Sequence, residues 1–131
     1  MKLLKIYQIS LIASCLLYLG YWFAPWLYGY LDSESQGILS YGGIKASFYL
    51  PDWFWELFLV LNLISYLGMF LFRKVFRALF VALLVISYPL GSLSGMVVMT
   101  GIEGVIANIQ ALMDGVVIAM AYLTELKKKF Y

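Results

Sequence analysis

The sequence predicts an all-α membrane protein, a four-helix transmembrane bundle with both termini cytoplasmic, on three observations. Hydrophobic residues make up 64% of the 131 residues and charged residues only 12%, with a mean hydropathy of +0.91; in an average soluble domain about a quarter of residues are charged. Apolar runs near the roughly 20 residues needed to cross a bilayer recur four times, which leaves no room for a separate soluble domain. Finally, eight of the nine basic residues fall in three clusters: Lys2 and Lys5, then Arg73, Lys74 and Arg77, then Lys127, Lys128 and Lys129. The intervening segments carry Asp32, Glu34, Asp52 and Glu56, with Lys45 as the one basic exception. Orientation follows the placement of Lys and Arg, so both termini are expected in the cytoplasm, and four spans satisfy that parity. Trp22, Trp26, Trp53 and Trp55 mark the opposite, outer end of the first two spans, where amphipathic rings favour the headgroup layer.

The first span is predicted over residues 7–28, with Pro25 near its outer end acting as a boundary. Within it, Ile12-Ala13-Ser14-Cys15 is similar to a bacterial lipoprotein cleavage box. Leu16-Leu17-Tyr18-Leu19 continues the apolar run, however, so an uncleaved helix with a packing cysteine is the expectation. The second span is predicted over 53–72, and between the two lies the only sizeable extramembrane segment. There, residues 38–48 read as a β-hairpin around Gly42-Gly43, an interfacial cap over the helix ends. Phe72-Arg73-Lys74-Val75-Phe76-Arg77 forms a tight cytoplasmic turn, making spans two and three antiparallel neighbours, and its cations read as a topology anchor. Span three, over 78–100, is interrupted by the Ser, Pro and Gly residues of positions 87–95. Pro89 frees the Val85 carbonyl, and a kink or local unwinding is expected. Span four, over 102–125, follows a short turn near Thr100-Gly101.

Asp114 stands midway along span four, and an ionisable group at mid-bilayer costs about 2.5–3.5 kcal/mol on insertion scales, so it is expected to face protein or water. Glu103, Ala107, Gln110, Asp114, Ala121 and Glu125 share one helical stripe. Beside it Ala107, Ala111, Gly115 and Ala119 recur every four residues, a ridge of small side chains that lets another helix approach. Stripe and ridge together predict that span four is the buried, central helix of the assembly. Candidate partners for Asp114 are Asn62, Ser65 and Tyr66 on span two, and the segment from Tyr88 to Ser94 on span three.

With no histidine and one cysteine, Cys15, the chain offers no His or Cys metal site and no internal disulfide, and neither a metal nor a cofactor is expected. The basic clusters are explained by topology, so no nucleic-acid partner is expected. Aspartyl chemistry needs two carboxyls in one site, whereas Glu103 is eleven residues from Asp114, about 16 Å of helix rise. An enzyme is therefore not expected.

Leu71-Phe72-Arg73 with Arg77-Ala78-Leu79-Phe80, then Gly101-Ile102-Glu103, then Asp114-Gly115 leading into Ala119-Met120-Ala121-Tyr122 resemble a loosely defined group of small four-span inner-membrane proteins of Gram-negative bacteria. The resemblance covers roughly the second half of the chain. It implies a bacterial inner membrane and supplies no activity. Two functional readings remain open. One is a non-enzymatic protein acting through contacts with a second copy or another membrane protein, as an accessory subunit or an immunity-type protector. The other is an oligomeric conductor of protons or small ions that uses Asp114.

Overall fold

Among the described residues, four helices are long and apolar enough to cross a membrane, and they account for most of the chain. The computed structural model describes residues 2–40, 46–95 and 97–131. Helix α1, Lys2–Phe23, runs into a 3-10 segment, Ala24–Tyr30, with Pro25 in its first turn; α2 is short, Ser33–Leu39. The other long helices are α3, Asp52–Phe70, α4, Lys74–Leu93, and α5, Gly101–Leu123, and a second 3-10 segment, Glu125–Lys129, leads to the C-terminus. Helix α5 packs along α1 and α3 along α4, with a lighter α1–α3 contact between the pairs. Within the chain α1 and α3 are thus the inner pair, each packed on two long helices, and α1 presents Tyr7, Ser10, Leu11 and Ser14, all buried, on one face.

The bundle buries polar side chains within its core and exposes many large apolar ones. Ser10, Ser14, Asn62, Ser65 and Asp114 are buried, while Ile9, Leu16, Leu67, Val85, Leu112 and Leu123 are exposed. Water as solvent would favour the reverse, whereas a lipid solvent leaves internal polar contacts and close packing as the forces that join helices.

One end of the bundle is tightly closed, and it carries the basic clusters. The Tyr7 hydroxyl donates to the Met69 carbonyl at 3.2 Å, and its ring packs 5.5 Å from Phe72 and 6.3 Å from Phe130. The C-terminal residue closes the α3–α4 turn through two backbone bonds of 3.0 Å, Tyr131 N–H to the Phe72 carbonyl and Lys74 N–H to the Tyr131 carbonyl. Arg77 donates to the Ala121 carbonyl at 3.0 Å, and its guanidinium lies 4.2 Å from the Tyr122 ring and 4.9 Å from that of Phe130. A cation thus satisfies a carbonyl in the last turn of α5, where orphan acceptors and the negative dipole end coincide. Arg77 is a helix cap as well as a basic residue of the turn.

The turn itself depends on an unusual backbone. Phe72 takes φ 56°, and the Arg73 and Phe72 N–H groups bond back to the carbonyls of Gly68 and Met69, the Schellman arrangement that normally favours glycine at its left-handed position. Phenylalanine is held there by its ring, which packs 5.2 Å from Phe130. Gly68 permits the approach of α4, because a Cβ there would fall 2.0 Å from the Phe76 ring.

Several sequence-based boundaries are corrected. Helix α4 continues through Pro89 and ends at Leu93, so it is not broken at the proline. The Ser87, Ser92 and Ser94 hydroxyls bond the carbonyls of Leu84, Tyr88 and Leu90, which steadies the segment. Gly95, at φ 89°, then terminates it. Residues 97–100, expected within span three, are non-helical and join α4 to α5. No strand occurs among the described residues. Ile38 and Leu39, expected to open a hairpin, instead end α2, and the Gly42-Gly43 turn lies outside the described residues. Helix α2 forms because Asp32 caps it, accepting the Ser35 N–H at 2.7 Å, a bond that holds the Asp32 carboxyl below its ordinary range.

Gly68→Ala is expected to destabilise the protein by about 1–3 kcal/mol through overpacking against Phe76, read as a lowered unfolding midpoint in detergent. Gly115→Ala, where nothing lies within 4 Å of the added carbon, should show no such loss. Equal behaviour of the two variants would contradict the proposed α3–α4 approach.

Candidate functional site

Asp114 is 3% exposed and is met by hydroxyls from two other helices. Ser14 of α1 and Tyr66 of α3 both donate to its Oδ1 atom, Tyr66 from 3.1 Å, and the two hydroxyls lie 2.9 Å from each other. The three oxygens form a closed triangle joining α1, α3 and α5. Tyr66 brings in the fourth long helix through its ring, which stands edge-on to Phe80 of α4 at a centroid distance of 5.0 Å. With α1 and α5 packed along their length, the triangle fixes the register of α3 against that pair.

The other residues expected at this site are placed differently. Asn62 donates to the Phe58 carbonyl at 2.8 Å and Ser65 to the Asn62 carbonyl at 2.7 Å. Both are buried, and both bond along their own helix, so neither reaches Asp114. Glu103 belongs to the tryptophan end. One of its oxygens accepts the Thr100 N–H at 2.7 Å and hydroxyl at 2.8 Å, completing a capping box with the 3.2 Å bond from Glu103 N–H to Thr100 Oγ1. Its other oxygen accepts the Tyr28 hydroxyl at 2.5 Å, tying the end of the first 3-10 segment to the start of α5. Glu125 lies beyond α5 in the second 3-10 segment, exposed and ion-paired with Lys128 at 2.5 Å. The polar stripe of span four is thus divided among a cap, a central knot and a surface pair.

A cleft of about 380 Å³ opens between the four long helices, and Asp114, Gln110 and Tyr88 all line it. Its wall on α5 includes Ala107 and Ala111, the first two members of the small-residue ridge. Gly115 and Ala119 lie outside it and are exposed. The ridge is consequently not covered by any helix of the same chain. Its small side chains leave space at the cleft and a flat face beyond it.

Ser14 is the site residue that sequence reasoning missed, since it fell within the segment similar to a cleavage box. The signal was present in the recurrence of Tyr7, Ser10, Ser14 and Tyr18, three or four residues apart on one face of α1. No group of metal-ligating residues occurs among the described residues. The site can hold a carboxyl group in a buried, hydroxyl-lined corner and present one side of it to the cleft.

Ser14→Ala and Tyr66→Phe are each expected to destabilise the protein by about 0.5–2 kcal/mol, the range for buried hydrogen bonds between membrane helices. The double variant should depart from additivity by more than about 0.5 kcal/mol, because both hydroxyls act on the same carboxyl oxygen and touch each other. Denaturant titration in detergent reads both quantities, and strictly additive losses would contradict the triangle. Comparison of the chain with known protein families, with curated proteins and with solved structures finds no match.

Proposed function

We propose that this chain is a non-enzymatic integral protein of the bacterial inner (cytoplasmic) membrane, with both termini in the cytoplasm. It acts through helix–helix contacts with another membrane-embedded chain, either a second copy or a partner that it serves as an accessory subunit or immunity-type protector. The observation that carries this reading is the outer face of α5, where Gly115 and Ala119 are exposed and the Cβ position of Gly115 meets nothing within 4 Å. Small residues in that spacing admit a second helix to close range, and van der Waals packing is the main force available to hold it in lipid. The basic clusters gathered at one end of the bundle support the orientation.

The non-enzymatic reading rests on the company Asp114 keeps. Its hydrogen-bond partners are hydroxyls, and Glu103, the other acid in α5, is engaged by Thr100 and Tyr28. A second reading, an oligomeric proton or small-ion conductor, is favoured by one observation, that Asp114 lines the cleft. It requires ion flux in liposomes that Asp114→Asn abolishes without unfolding the protein.

Gly115→Leu tests the first reading cleanly, because the added side chain enters open space within the chain. The variant is expected to fold with an unchanged unfolding midpoint. In native mass spectrometry of protein extracted gently from its own membrane, it should lose its stoichiometric companion at least tenfold. An assembly indifferent to Gly115→Leu would remove the α5 face from consideration.

A further inference from the structure

The cleft beside Asp114 has a chemistry that helix docking on the outer face does not use. Its rim and walls hold six aromatic side chains, Tyr18, Tyr21, Trp22, Trp55, Phe58 and Tyr88, and no Lys or Arg. Asp114 at its base is bonded to the neutral hydroxyls of Ser14 and Tyr66, and the ion pair among the described residues lies elsewhere, between Lys128 and Glu125. Arg77, the buttress of the basic end, is directed at the Ala121 carbonyl and two aromatic rings. A carboxyl group thus faces a cleft whose lining supplies it with no countercharge. The Tyr18 hydroxyl at the cleft wall is buried without a hydrogen-bond partner, a polar group the protein leaves unsatisfied.

Size and wall chemistry define what would complete this site. About 380 Å³ lies within the range of small-molecule pockets, which are mostly apolar with a few fixed polar groups. It is far larger than a bare inorganic ion, which would also lack the several carboxylate or carbonyl ligands that hard cations take. Aromatic faces attract organic cations electrostatically while their apolar bodies displace lipid or water. We infer that the cleft is a binding site for a lipophilic organic monocation, with its charge beside the Asp114 carboxylate and its apolar body among the aromatic rings.

The experiment titrates the purified full-length protein in detergent with methyltriphenylphosphonium. The probe is followed by calorimetry and by quenching of tryptophan fluorescence, since Trp22 and Trp55 line the cleft. Neutral triphenylphosphine oxide, of nearly the same shape, serves as the control. Saturable binding of the cation is expected, at least tenfold tighter than that of the oxide, and Asp114→Asn should weaken the cation at least tenfold while leaving the oxide unchanged. Ala107→Leu fills the cleft without touching the Asp114 triangle; it should weaken the cation at least tenfold and decides the question if Asp114→Asn does not fold. Absence of saturable binding overturns the inference. Equal binding of cation and oxide also overturns it and assigns the cleft to neutral apolar molecules or lipid chains. So does cation binding that neither substitution alters.

Discussion

A carboxyl group buried among apolar helices must be given partners, and the position of Asp114 governs how this bundle is assembled. Leaving such a group unsatisfied in a low-dielectric interior would cost several kcal/mol. The remedy is two hydroxyls, one from α1 and one from α3. Because lipid offers helices little hydrophobic reason to associate, a shared polar contact of this kind carries more structural information than it would in water. Tyr66 extends the contact to α4 through Phe80, so each of the four long helices is positioned, directly or at one remove, by the same carboxyl.

The two ends of the bundle are secured by different means, and the difference leaves the cleft where it is. At the basic end Arg77, Phe72 and the returning C-terminal residues draw α3, α4 and α5 together. At the tryptophan end the Glu103 capping box and the Tyr28 hydroxyl join α5 to the first 3-10 segment, with α4 left outside that link. Helices α4 and α5 are therefore bound at one end and separated by the cleft beyond it. The small residues Ala107 and Ala111 keep that space open on the α5 side. Farther along the same ridge, Gly115 and Ala119 present a close-approach surface to the exterior. One row of small side chains thus serves an internal space and an external face.

Much of this was legible in the sequence because its causes are local. Four apolar runs, three basic clusters and a lone acid at mid-span depend on composition and spacing, and the helices formed where those patterns lie. What was not legible depended on which faces meet. Asn62 and Ser65 are as polar as Ser14, yet they bond their own backbone, a choice that one-dimensional spacing does not reveal. The early end of α4 at Leu93 followed from Gly95 taking a left-handed conformation, whereas Pro89, the stronger breaker by composition, was absorbed within the helix. Phe72 at positive φ was invisible for a similar reason: its ring is held by Phe130 and Tyr7, which are distant in sequence. The spans were readable; the pairing of polar groups between helices required three dimensions.

The most direct measurement of the central contact is isotope-edited infrared spectroscopy of the Asp114 carboxyl in bilayers, with Ser14→Ala and Tyr66→Phe compared against the unmodified chain. A carboxyl shared by both hydroxyls should give one narrow band that shifts with either substitution and stays unmoved by Tyr88→Phe. A band indifferent to Ser14 and Tyr66 would show that Asp114 does not join α1, α3 and α5, and the arrangement of the bundle would need another explanation.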